Sequence, residues 1–215
     1  HVGALEVDRP RLHSKQHLVK VAALHIDGLR FRLDRPADSA HTNLTDLLDR
    51  LSSGDTTTAG PDWTITCAVF TIDGLHFTHH DAHYEQLPFG VDFDHVEVTE
   101  GSIHGSGLHI IGDSISAHLD GIALKDRSGL VVERLGGQAS VSGHGIYIDD
   151  LELRTPRTDL HGDLALRTDD WEDLDLFTER VNIRLDLDTS ILDLADVALF
   201  APDLEGIRFP FRVKG

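Results

Sequence analysis

The segment His79-His80-Asp81-Ala82-His83 holds four side chains that can ligate a metal ion. Zinc takes three or four converging donors, and His80 and His83 would share a face if the segment were helical. It follows an alternating apolar stretch, however, and reads as a hairpin tip with outward imidazoles. No helical H-E-x-x-H context surrounds it, so no metal ligand is assigned. His76, His95, His104 and His118 occupy polar positions of alternating stretches and are expected at the surface. Asp pairs at 92/94, 149/150, 169/170, 173/175 and 186/188 could do acid–base work on a glycan or hold calcium. In an extended strand Asp92 and Asp94 share the outward face, as do Asp186 and Asp188, and a solvated face accounts for them. Gly105-Ser-Gly107 lacks the third glycine and the following helix of a dinucleotide site. There is no G-x-S-x-G and no phosphate-binding loop. Cys67 sits in an apolar-rich run and reads as a buried thiol. No catalytic residue and no cofactor is expected.

What remains is a pattern of elements. Val181-Asn-Ile183-Arg-Leu185-Asp-Leu187-Asp188 is apolar at every odd position. Ile115-Ser-Ala117-His-Leu119-Asp120, Ala139-Ser-Val141-Ser-Gly143 and Val91-Asp-Phe93-Asp94 alternate in the same way. Period-two alternation gives strands with one dry and one wet face, as in an antiparallel sheet. A short phrase recurs: Ile26-Asp-Gly-Leu29, Ile72-Asp-Gly-Leu75, Leu119-Asp-Gly-Ile122, Ile148-Asp-Asp-Leu151 and Leu204-Glu-Gly-Ile207. Its aliphatics, three apart, reach the same face only if one residue is absorbed. Gly and Asp tolerate the backbone of a bulge, so the phrase predicts bends that let long strands curl. Three helices are expected. Asn43 caps the first, with Leu44, Leu47, Leu48 and Leu51 on one face. The second spans about 169–180 and the third Asp193 to Phe200.

Thirty-seven acids against 19 bases give a net charge of −18, which repels a phosphate backbone and argues against nucleic-acid binding. Lys occurs only at 15, 20, 125 and 214, and the acidic, Lys-poor surface suits high salt. No apolar run approaches the ~20 residues of a membrane helix. The chain opens on His1 without a signal segment and is read as a piece of a longer protein. Residues 1–215 form one segment of mainly β structure, a long curled antiparallel sheet with two or three short helices. The helix-containing region at about 36–62 interrupts the sheet.

Five stretches resemble TamB-type proteins of Bacteroidota-like bacteria, members of the AsmA-like superfamily. Asn43-Leu-Thr-Asp-Leu-Leu-Asp-Arg-Leu-Ser-Ser-Gly-Asp-Thr-Thr57 resembles their short helix and Thr-rich loop, followed here by Asp62-Trp63. Leu87-Pro-Phe-Gly-Val-Asp-Phe-Asp-His95 resembles the strand that resumes their sheet. Leu124 to Leu135 resembles a turn of the form K-E-x-S-G-F-x-L-x-x-L. Leu151 to Gly162 resembles the strand pair L-x-L-x-T-P-x-S-x-L-x-G, and Leu194 to Leu204 resembles L-x-D-L-A-Y-F-A-P-E-L. Together they cover about residues 43–207; the acidity and His content depart from the family.

The resemblance implies a periplasmic envelope-biogenesis protein whose trough-like sheet has an apolar concave face and conducts phospholipid or another acyl lipid. It also implies an inner-membrane anchor helix upstream and a C-terminal region meeting an outer-membrane barrel protein, both outside this chain. The aliphatics placed inside the trough are Val91, Phe93, Ile115, Ala117, Leu119, Val141, Ile183, Leu185 and Leu187. From the residues alone, a sandwich core sealed by a second sheet fits them equally well. Two other functions stay open: an extracellular β-rich adhesion module with a cation-holding acidic surface, and a glycan-active enzyme using an Asp pair.

Overall fold

The alternating stretches fold into strands of one sheet. The computed structural model describes residues 1–39, 41–43, 62–169 and 180–215. Among these, the early strands are β1 (Ala4–Asp8), β2 (Arg11–His13), β3 (Leu18–Asp27), β4 (Arg30–Arg35) and β5 (Thr64–Asp81). The central ones are β6 (Glu97–Ile111), β7 (Ser114–Asp126), β8 (Val131–Ser142), β9 (Gly145–Arg154) and β10 (Asp159–Arg167). Shorter strands follow: β11 (Asn182–Leu187), β12 (Ser190–Asp193) and β13 (Pro210–Val213). All 13 join a single open sheet in the order β1-β3-β5-β6-β7-β8-β9-β10-β12-β13, with β2 on β3, β4 on β5 and β11 on β10.

The sheet is mixed, which corrects the antiparallel expectation. From β5 to β10 neighbours are antiparallel, joined by short turns except for the 82–96 connection. But β3 runs parallel to β5 over Thr64–Asp73, and β4 parallel to β5 over His76–Asp81. Alternation reports a wet and a dry face; it carries no information on strand direction. The parallel return requires a long crossover, supplied by residues 36–63. The expected first helix and most of the 36–62 region lie outside the described residues, as does the second helix. The third is shorter than expected. A single α-helical turn, α1 (Leu194–Val197), is capped by Asp193, whose side chain accepts from the Ala195 N–H. The chain beyond it turns through a 3-10 segment at Pro202–Leu204.

The recurring phrase marks a crease across the sheet. The first copy separates β3 from β4, and Gly28 N–H donates to the Asp73 carbonyl beside the second copy. The pairing register then slips at Ile72/Leu75, His104/Gly105, Leu119/Ile122, Gly136/Gln138 and Gly162/Leu164 on successive strand pairs. Gly74 at φ 61 adopts a left-handed backbone that costs most side chains about 1–2 kcal/mol. The fifth copy, Leu204 to Ile207, lies off the sheet, in a turn. One buried cluster, Cys67, Phe70 and Ala117, packs with Val21, Leu24, Leu108 and Leu119 before the crease and Ile103 at it. The Phe70 ring lies over Gly105, where any side chain would collide with it and with the His118 carbonyl.

A methyl group at Gly162 (φ 148) would run into the Asp186 carbonyl oxygen, whereas one at Gly121 meets nothing nearer than 3.9 Å. Gly162→Ala is expected to destabilise by about 1–3 kcal/mol in urea melts, and Gly121→Ala by under about 0.5 kcal/mol. Asp27 is paired directly with Asp73, and Asp163 with Asp186. Like charges across a ladder destabilise and are screened by salt. The melting temperature is expected to rise from low salt to molar sodium chloride; a flat response would contradict charge repulsion as a limit on stability.

Candidate functional site

Directly paired strand residues share a face, so the register shows which aliphatics lie together. One row crosses nine strands: Leu12, Val19, Ile65, Ile110, Ile115, Val141, Ile146, Leu166 and Ile183. The next row on the same face carries Ala117, Ala139, Ile148, Leu164 and Leu185. Leu119 pairs with Gly137, and Leu187 with Gly162. Seven of the nine residues expected on the lining are therefore on strands, with Ile115, Val141 and Ile183 in one row and Ala117 and Leu185 in another. Val91 and Phe93 are not on a strand; they belong to the 82–96 connection, and Phe93 is exposed.

A further row was missed by the alternation argument: Leu5, Ile26, Ile72, Ile103, Ile122, Leu135, Leu153 and Leu160. The recurring phrase was its signal, because Ile26, Ile72 and Ile122 are aliphatics of that phrase. Burial along the rows is uneven. Ala117 is 6% exposed, but Ile115 is 42%, Leu185 41% and Ile183 56% exposed. Among the described residues no second sheet covers them.

Cover exists at one end. There α1, Phe200 and β8–β10 bound a hollow of about 380 Å³, walled by Leu135, Ile148, Leu153, Leu160, Leu164, Leu192 and Val197 among others. Asp196 fastens the helical turn: it accepts from Thr155 Oγ1 at 2.6 Å and from Arg157 Nη2 at 2.8 Å. Burial pushes its carboxyl up, but Thr155, Thr158 and Arg157 outweigh that and hold it below the ordinary carboxylate range. The 82–96 connection meets this cap, with Val91 N–H donating to the Leu199 carbonyl and Phe93 lying 6.5 Å from Phe200.

Asp81, at the end of β5, and Asp92, in that connection, are structural. Asp81 is 2% exposed and accepts from His83 N–H, His83 Nδ1 and Arg35 Nη1. Asp92, 4% exposed, accepts from Leu87 and Asp94 N–H and pairs with His95 at 3.0 Å. Asp92 thus turns inward and does not share an outward face with Asp94; His95 is buried, not on the surface. Burial raises both buried carboxyls, but these partners outweigh it and hold Asp81 and Asp92 low. Asp94 is pushed up by burial and by the charges of Asp92 and Asp81. Burial also pushes the Cys67 thiol up, which leaves it protonated and a poor nucleophile. On the polar face, Asp150, Glu152, Asp163 and Asp188 border a shallow hollow. Among the described residues no group of three or more His, Cys, Asp or Glu is placed to hold a metal ion, and no helix is long and apolar enough to cross a membrane.

No family model matches the sequence, and neither a curated protein nor a solved structure matches it.

The Asp94 carboxylate, raised in the fold, costs stability above its pKa and ceases to when protonated. Asp94→Asn is therefore expected to raise the melting temperature at pH 7, with the gain fading toward about pH 4. Asp81 and Asp92, held low, contribute stability above the ordinary carboxylate pKa that is lost as pH falls through their depressed values. The protection of amides in 82–96, relative to their intrinsic exchange rate at each pH, is accordingly expected to fall below about pH 4. Unchanged protection there would mean that these carboxylates do not hold the segment.

Proposed function

We propose that this chain is a segment of an AsmA-like, TamB-type envelope protein whose sheet curls into a trough and carries acyl lipid along an apolar concave face. The observation that carries the reading is the set of cross-sheet aliphatic rows, several of them part-exposed and, among the described residues, uncovered by another sheet, on strands that carry an aligned series of bulges. Bulges increase local twist and bend a strand, which favours curling toward one face. An acyl chain in water costs about 0.8 kcal/mol per CH₂, so a sixteen-carbon chain costs on the order of 12 kcal/mol. A continuous aliphatic strip removes most of that cost, and the acidic outer face keeps the carrier soluble. The lipid is a phospholipid or another acyl lipid. In this reading the protein works in the periplasm as a conduit or assembly scaffold. An inner-membrane helix and an outer-membrane barrel are reached through parts of the protein beyond this chain. It performs no catalytic step, and its acidic surface is that of a salt-adapted relative.

Delipidated protein is expected to take up NBD-labelled palmitate. Leu185→Glu and Ile115→Glu, which put a charge on the rows, should weaken uptake about tenfold or more. Ser140→Glu, on the opposite face, should leave it unchanged. Equal uptake by all three variants, or none by the native chain, would overturn the reading. Calcium-dependent melting without uptake would favour the adhesion module instead.

A further inference from the structure

The hollow beside α1 differs from the open rows in one respect: α1 and Phe200 wall it on one side. Its polar wall residues are all engaged elsewhere. Thr155 Oγ1 donates to Asp196, Asp196 also accepts from Arg157, and Thr158 Oγ1 accepts from Asp193 N–H at 3.1 Å. A water molecule needs two to four polar partners, and these walls offer none that is free, so the hollow suits an apolar occupant. A charged head group would lose its hydration there without compensation. At about 380 Å³ it lies within the ~300–1,000 Å³ range of small-molecule pockets. Two cross-strand rows run into it. Leu135, Leu153 and Leu160 continue the row of Ile103 and Ile122, while Ile148 and Leu164 continue the row of Ala117. An occupant that fills the hollow and also follows a row must be long and narrow.

We propose that this hollow is the site for the methyl end of one unbranched acyl chain, with Val197 and Phe200 as its stop and the head group directed away along the rows. The inference rests on the acyl-lipid reading above and adds to it an orientation and an end point. Val197 sits on α1, which Asp196 and Asp193 tie to the β9–β10 turn, so the stop is anchored to the sheet it closes.

Two photoreactive palmitates test it on the native chain, one with a diazirine at the terminal carbon and one with it beside the carboxyl. The terminal probe is expected to label Leu164, Leu192 or Val197, and the carboxyl-side probe to label residues outside the hollow. Val197→Trp and Leu192→Trp, at two walls of the hollow that lie off the rows, are each expected to abolish labelling of the hollow while NBD-palmitate still binds the rows. Circular dichroism checks that each variant folds, and the comparison of the two probes needs neither. Identical labelling by both probes, or labelling of the hollow that survives both folded Trp variants, would overturn the orientation while leaving the acyl-lipid reading intact. Absence of any palmitate uptake would remove both.

Discussion

A sheet one layer thick has two faces, and in this chain the period-two alternation makes one of them polar and the other aliphatic. Each square ångström of aliphatic surface left exposed forgoes about 25 cal/mol. A sandwich answers this with a second sheet about 10 Å away. Here every described strand belongs to one sheet, and Ile115, Ile183 and Leu185 remain about half exposed. Among the described residues the compact cluster built on Cys67, Phe70 and Ala117 is small, and further cover comes from a single helical turn with its flanking segments. This aliphatic surface, which no second sheet covers among the described residues, is thus the constraint around which the described structure is arranged.

The crease is a consequence of how that surface is kept continuous. In a regular strand, aliphatics three residues apart fall on opposite faces. At each bulge one residue is taken out of the ladder, so Leu119 and Ile122 can both join the same side as the Cys67 cluster. The slips occur on successive strand pairs at neighbouring positions. The same residues, Asp and Gly, that permit the bulge also put carboxylates on the wet face, which ties the register shifts and the acidity to one short phrase.

The acids that look most like reactive groups serve as fasteners. Asp81 and Asp92 satisfy backbone N–H groups and His rings in the connection between β5 and β6, and Asp193 and Asp196 do the same for α1. Both devices act on the same end of the sheet, where the 82–96 connection and the Leu199–Phe200 segment touch. A carboxylate that accepts several donors is stabilised in its charged form and makes a poor proton donor or base. The arrangement therefore favours a rigid cap over acid–base chemistry.

The alternation of Ile115 to Asp120 and of Val181 to Asp188 determined by itself that these stretches are strands with one apolar face, because side chains alternate strictly along an extended backbone. The recurring phrase determined where the bulges of β5, β7 and β9 fall, since few other residues accept that geometry. Strand direction, sheet order and register were decided only in the tertiary structure, because pairing partners are far apart in sequence. Hence the parallel placement of β3 and β4 on β5 and the row from Leu5 to Leu160 could not be read along the chain. Val91 to Asp94 shows the same limit from the other side. Four alternating residues satisfy the strand pattern, yet Asp92 finds Leu87 N–H, Asp94 N–H and His95 within a turn, and those local bonds hold the segment off the sheet.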